Sequence, residues 1–433
     1  MTRQTFNLVR IVLDPRVTAA PRRVLRTLRA RGIRRLPEEI EVDVQRGGPP
    51  SARVLRFIRQ WLDGELLSRH RGQWVINSFM PPFPGPAFDR MFENLLSGRH
   101  LSPVSAFLAV TQACPYRCWH CSLQARKAGH LPTETWQDVI RQLHGLGVSL
   151  VGFTGGEPLA RPDLPALVRA AAAGGAATIV FTSGARLDAE RAAALRRAGL
   201  WALCVSLDHP VPEECDRLRG VAGAFDQAVA ALRLSVRRGF YTMMATVATR
   251  AVIEEQRHRA LYALARRLGV HEYRLVEPMP CGKLAAAPDD VLLTPDHVKT
   301  LRAFHVETNR RGRLPKVCAF NQVESPEIFG CGAGTQHLFV DAAGEVCPCD
   351  FTPLSFGNVT QTPLADLWRR MNLALGDNPR CDCFIQKYHR LVAAHAGAGW
   401  PLPPEVSERI CAQIEKEPLP GYFALVSRAG RNP

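Results

Sequence analysis

The 433-residue chain has no cysteine before Cys114, and only six of its 55 basic residues are lysine. Any thiolate chemistry therefore belongs to the rest of the chain. The lysine scarcity, set beside alanine-rich stretches such as AAAAGG and RAAALRRAG, points to a bias of the source genome. The opening MTRQTFNLVR lacks an apolar signal-peptide core, so secretion is not expected. No run approaches the ~18–20 apolar residues that span a bilayer. Without secretion, the thirteen cysteines read as metal ligands or free thiols rather than disulfides. A soluble protein of a reducing compartment, the cytoplasm, is expected. The net charge of +15 invites a nucleic-acid reading. The arginines are scattered along helices without interleaved aromatics, which reads instead as a solvated surface. Residues 16–35 (RVTAAPRRVLRTLRARGIRR) are the local exception.

The run TQACPYRCWHCSLQ carries Cys114, Cys118 and Cys121 on one short loop. Three thiolates are one fewer than a fully ligated [4Fe–4S] cluster needs, leaving one iron free for an outside ligand. A structural zinc loop is the alternative, but zinc sites pair their Cys or His ligands at recurring offsets. No second pair lies within ~20 residues downstream; the next cysteine is Cys204. The loop follows a short apolar run, SAFLAVTQA (105–113), that reads as a buried strand. Some thirty residues on, a second strand ends in Gly155-Gly156-Glu157-Pro158. The glycine pair permits close backbone approach to a ligand, and Glu157 offers a carboxylate for an ammonium group. Here the chain resembles the radical S-adenosylmethionine (SAM) enzymes. That resemblance implies that the open iron chelates the amino and carboxylate groups of SAM. It also implies that the GGEP segment holds the methionine end and that His120 sits where an aromatic residue contacts adenine.

Beyond the loop, strands and helices alternate as in repeated βα units. Helices are expected at 133–147 (opened by a Thr cap), 163–173, 188–198, 223–238 and 254–268. Strands are expected at 178–184, 201–208, 241–249 and 271–280. With the two strands already named, six parallel strands form an α/β fold, a partial (β/α)6 TIM-like barrel with its site at the C-terminal strand ends. This is also the barrel the resemblance implies. Small polar groups fall at those ends: Thr182 to Gly184, Ser206 to Asp208, and Thr246 to Thr249. Singly they cap strands and start helices as readily as they bind anything; as a set on one rim they read as a SAM site. The resemblance makes Ser183, Ser206 and Asp208 candidates for the methionine carboxylate and ribose. Leu275 and Val276 are read either as adenine contacts or as barrel filling.

Cys204 and Cys215 read as small buried residues, and Cys281 as facing the cavity. From Cys318 the cysteine density rises in glycine- and turn-rich surroundings, GCGAG, DAAGEVCPCD and NPRCDCF. Ligand type alone does not separate a zinc ribbon from an iron–sulfur site. The stretch CGAGTQHLFVDAAGEVCPCDFTPLSFGNVTQTPLADLW resembles the SPASM or twitch extension of radical SAM enzymes. That likeness implies one auxiliary [4Fe–4S] cluster held by Cys331, Cys349, Cys381 and Cys383. Cys318, Cys347 and Cys411 are further candidates toward a second.

Three domains are expected: an N-terminal α+β appendage (1–100), the barrel (101–290) and a small iron–sulfur domain (313–433). In the appendage, residues 51–70 have helical spacing, GQWVINSF reads as a strand and MPPFPGP as a linker before a helix near 87–97. It would recognise a peptide by strand addition or seal the barrel. The resemblance implies reductive cleavage of SAM to a 5′-deoxyadenosyl radical that takes hydrogen from a substrate, with flavodoxin or ferredoxin as electron donor. A peptide is the first substrate class, and a tetrapyrrole-like cofactor precursor or a lipid the second. The reading of a different kind is a non-enzymatic iron–sulfur or zinc protein that binds nucleic acid.

Overall fold

A computed structural model describes residues 52–96, 102–124, 126, 129–286, 291–376 and 379–427. The basic segment 16–35 lies outside them. Helix α1 (Ala52–Asp63), the hairpin β1 (Ser68–His70) and β2 (Gln73–Val75), and helix α2 (Pro86–Leu96) come first. The alternating region follows as β3 (Ser105–Thr111), α3 (Thr133–Leu146), β4 (Leu150–Gly155), α4 (Leu164–Ala173), β5 (Ala177–Thr182) and α5 (Ala189–Arg197). It continues with β6 (Ala202–Ser206), α6 (Pro212–Arg219), α7 (Ala224–Arg237), β7 (Tyr241–Val247), α8 (Arg250–Glu254), α9 (Arg257–Leu268) and β8 (Glu272–Val276). Then come α10 (Pro295–Arg310), β9 (Lys316–Ala319), α11 (Phe320–Val323), β10 (His337–Val340) and β11 (Val346–Cys347). The remaining helices are α12 (Leu364–Leu375), α13 (Phe384–Ala393), α14 (Pro404–Cys411) and α15 (Gly421–Ser427).

Strands β3 to β8 lie side by side in chain order and run parallel. They read as apolar runs because helices cover the outside and side chains fill the inside. On β8, Tyr273 and Leu275 pack outward with Val205 and Leu207, while Arg274 and Val276 point into the barrel. The sheet is wider than six strands. β9 adds in parallel to β8, and β10 adds in parallel to β3, with β11 antiparallel beyond it. Both added strands come from the segment read as the auxiliary domain. Each is four residues long, too short for periodicity to single out.

Two local expectations are corrected. Thr133 does not cap α3; Pro132 does, and the Thr133 hydroxyl donates instead to Asp163 Oδ2 at 2.6 Å. The single helix expected over 254–268 breaks at Gln256, whose φ of 55° is left-handed, leaving α8 and α9.

The segment MPPFPGP is not a linker, since Met80 and Phe83 are buried against Trp74 and Met91. The chain just before it plugs the floor of the barrel. Val75 packs with Leu150, Ile179, Cys204 and Met243, a burial worth about 1.5–3 kcal/mol for the side chain. The buried Lys316 ammonium donates to the carbonyls of Val75 and Ile76, both at 2.8 Å. Tyr241 and Ser78 donate to the Glu272 carboxylate, and Arg274 Nη1 donates to Ser78 Oγ at 2.8 Å. The described part of the appendage thus packs against the barrel floor.

Candidate functional site

A cavity of about 410 Å³ opens at the C-terminal ends of the barrel strands, and Cys114, Cys118 and Cys121 all line it. The loop that carries them is held from three sides. At its start, the Gly156 amide donates to Thr111 O (2.7 Å) and the Glu157 amide to Ala113 O (2.8 Å). A Cβ on Gly156 would stand 2.3 Å from Ala113 O, so glycine is required for this approach. At its middle, the Arg117 and Trp119 amides donate to the carbonyls of Arg219 and Leu218. Lys283 Nζ donates to Cys118 O at 2.9 Å.

Arg219, the last residue of α6, is buried and turned toward the loop. Its Nη1 lies 3.6 Å from Cys118 Sγ, and its Nη2 pairs with Asp208 at 2.5 Å. Burial pushes the Cys114 thiol up to about 11. Burial raises the Cys118 thiol too, with Arg219 pulling it back. Such thiols become thiolates when a cationic partner is supplied. His120 lines the same cavity. Burial holds its imidazole down at about 4, and among the described residues its buried Nδ1 has no partner.

Of the other predicted site residues, Gly155, Gly156, Ser183, Ser206, Asp208 and Val276 line the cavity. Asp208 is already engaged, by Arg219 and by the Val247 amide at 3.0 Å. Glu157 does not face the cavity. Its carboxylate is fully buried and accepts from the Leu159 amide (3.0 Å), Thr182 Oγ1 (2.7 Å), the Ser183 amide (2.8 Å) and Ser183 Oγ (2.5 Å). It is a buckle between the ends of β4 and β5, with no free oxygen aimed at an ammonium group. Pro158 is buried at the start of a short 3-10 turn. Leu275 is fully buried on the outward face of the strand, between sheet and helices, so it is neither an adenine contact nor barrel filling.

A second cavity, about 170 Å³, is lined by Cys331, Cys349 and Cys383. Cys381, expected with them, lies apart, its thiol donating to Pro418 O at 3.1 Å. Cys318 is buried in the barrel floor near Glu272 and Lys316. Cys347 takes a hydrogen bond from Arg126 Nη1 at 3.2 Å, and Cys411, the last residue of α14, is buried in the core. None of these three lines the second cavity. Cys204 and Cys215 are buried as expected, and Cys281 lines the first cavity. Arg274, Phe320, Met279, Asp350 and Phe351 line both cavities and form the wall between them.

Sequence reasoning missed Arg219, Lys283, Arg126 and Arg274. In a chain rich in scattered arginine, nothing local marks the ones that fold inward. Arg274 is enclosed by the rings of Phe79, Phe181 and Phe320 at 4.8–5.4 Å, aromatic partners far apart in sequence.

The donor sets fit iron–sulfur clusters. A single zinc ion draws its ligands in close around one centre. A cluster instead takes its thiolates on separate irons, wider apart. The first set has three thiols opening onto a cavity with room beside them. The second has three thiols on the wall of a smaller cavity.

A family model described as the radical SAM superfamily matches residues 108–261, and one described as an iron–sulfur cluster-binding domain, SPASM, matches residues 331–386. A PqqA peptide cyclase of Gluconobacter oxydans is 31% identical over 275 residues, covering 61% of this chain and 76% of that protein. An AdoMet-dependent heme synthase of Methanosarcina barkeri is 28% identical over 283 residues, 60% of this chain and 80% of that protein. The crystal structure of Streptococcus suis SuiB bound to precursor peptide SuiA aligns with a TM-score of 0.50 at 16% identity, over 61% of this chain and 64% of that one. Fold, cysteine sets and relatives agree, and the chain belongs to the radical SAM superfamily of enzymes, with a SPASM iron–sulfur domain on its C-terminal side.

Proposed function

We propose that this enzyme modifies a peptide within the 410 Å³ cavity, using Cys114, Cys118 and Cys121 to hold the cluster that binds SAM. When bound, the reduced cluster would supply the one electron that cleaves SAM to methionine and the radical that takes hydrogen from the substrate. The observation that carries the reading is the shared cavity. The cysteine loop forms one wall, and Asp350 and Phe351, next to Cys349, form another. A substrate held there lies between the radical source and the wall that separates it from the auxiliary thiols.

The chain's own residues prepare that space. Gly155, Gly156, Ser183, Ser206 and Val276 form the rim on which SAM would lie. Arg219 and Lys283 hold the loop in register, and neutral His120 offers a ring without adding charge. The plug from Val75 to Met80 closes the floor and keeps water from entering below. Cys331, Cys349 and Cys383 would hold the auxiliary cluster. A flavodoxin or ferredoxin would deliver the electron. No described helix is long and apolar enough to cross a membrane, and a cytoplasmic enzyme is proposed.

Support for a peptide comes from the PqqA peptide cyclase relatives; the AdoMet-dependent heme synthases support a tetrapyrrole as the second reading. The test is 5′-deoxyadenosine formation by the reduced, reconstituted enzyme with short peptides encoded beside its gene, against a tetrapyrrole. Deuterium transferred from a labelled peptide into 5′-deoxyadenosine is the expected result. Transfer only from the tetrapyrrole would reverse the order, and transfer from neither would remove both.

A further inference from the structure

The geometry points to Glu324, and not Cys381, as the fourth protein ligand of the auxiliary cluster. The inference rests on the reading that the C-terminal cavity holds a cluster, and it deepens that reading. Glu324 borders the same 170 Å³ cavity as Cys331, Cys349 and Cys383. It follows α11, and its amide donates to Phe320 O at 2.8 Å, so the backbone that carries it is fixed. Its carboxylate makes no hydrogen bond or ion pair among the described residues. The charges around it are mostly of its own sign: Cys331, Asp350 and Glu277, with Arg274 as the opposing cation. Arg274 is itself committed to Ser78 and to three aromatic rings. A carboxylate on the cavity wall in such company is unfavourable unless a cation is supplied. Iron at the fourth corner of a cluster is such a cation, and carboxylate oxygen is an accepted iron donor.

Cys381 is held outside by contacts of its own. Its thiol donates to Pro418 O, and its amide to Glu417 Oε2 at 2.9 Å. Glu417 in turn pairs with Lys387 at 2.9 Å and with Arg380 at 3.6 Å. Swinging Cys381 into the cavity would undo this set, whereas Glu324 is already there.

The experiment compares anaerobically purified full-length wild type, Cys381→Ser, Glu324→Ala and Glu324→Cys by iron content and by Mössbauer and EPR spectra of the reduced protein. Wild type should carry about eight irons in two four-iron clusters. Cys381→Ser should keep that iron and the wild-type auxiliary spectrum. Glu324→Cys should keep the iron but shift the auxiliary spectrum toward an all-thiolate cluster, and Glu324→Ala should alter or remove that spectrum. Loss of about half the iron in Cys381→Ser would overturn the assignment, and it needs no Glu324 variant to fold. Auxiliary spectra unchanged in both Glu324 variants would also overturn it. Only about four irons in wild type would overturn the two-cluster reading, and this assignment with it.

Discussion

The Arg219 guanidinium lies 3.6 Å from the Cys118 sulfur, although 101 residues of chain separate them. The same guanidinium pairs with Asp208 just past β6. One buried cation therefore ties the cysteine loop to the strand ends that line the cavity. Breaking such a buried pair from one side leaves an uncompensated charge, at a cost of about 3–5 kcal/mol.

Arg219→Leu should accordingly lower unfolding stability by about that amount and reduce iron retained at the barrel site. The Asp208→Leu/Arg219→Leu double variant should recover most of the stability but not the iron. Denaturant unfolding and iron analysis check both; equal stability of the two variants would show that the pair is not what Arg219 serves.

Replacing Cys114, Cys118 and Cys121 together with Ala should remove about four irons per chain and abolish 5′-deoxyadenosine formation from SAM under dithionite. Glu157→Ala should act differently, because its carboxylate faces inward. Each lost charged hydrogen bond is worth roughly 1.5–3 kcal/mol, so stability should fall. SAM affinity measured on the folded fraction should change little. A tenfold loss of affinity at unchanged stability would return Glu157 to the SAM site.

Two glycine substitutions should have opposite signs. Gly156→Ala drives a Cβ to 2.3 Å from Ala113 O, where backbone has to move, at a cost of about 1–3 kcal/mol. Iron at the barrel site should fall with it. Gly145→Ala, in α3 with nothing within 4 Å, should stabilise by about 0.5–1 kcal/mol. Melting curves of the two variants check the contrast.

His305 is buried with its Nδ1 accepting from the Ala319 amide at 3.1 Å, and burial pushes it down to about 4. An unfolded histidine titrates near ~6.5. Between those values the unfolded chain binds the extra proton. This contribution is therefore complete above the unfolded value and lost as pH falls toward 4. The loss reaches about 3 kcal/mol. His305→Gln should show a shallower decline in urea stability from pH 7 to 4.5. Glu65, whose Oε1 lies 3.9 Å from His305 Nε2 and whose carboxyl burial pushes up to about 8, contributes the opposite slope, so the comparison is repeated in a Glu65→Gln background. Parallel pH profiles would show that His305 does not contribute.

The sequence by itself determined the chemistry and the barrel. Cysteine spacing is local, so the Cys114 loop was legible as a three-thiolate site. The apolar runs of β3 to β8 were legible because parallel strands are buried on both faces. Tertiary structure alone decided which side chains meet. Glu157 was read as a SAM ligand from its place after two glycines. Its rotation into Thr182 and Ser183 depends on where β5 ends. Cys381 and Cys383 are nearly adjacent in sequence, yet one reaches the second cavity while Pro418 holds the other outside. Leu275 and Val276 differ by one step of a strand, and that step puts them on opposite faces. Arg219 and Glu324 carry no local mark at all. Long-range packing brings Arg219 to Asp208 and Cys118 and sets Glu324 on the wall of the second cavity, and only the folded chain shows those placements.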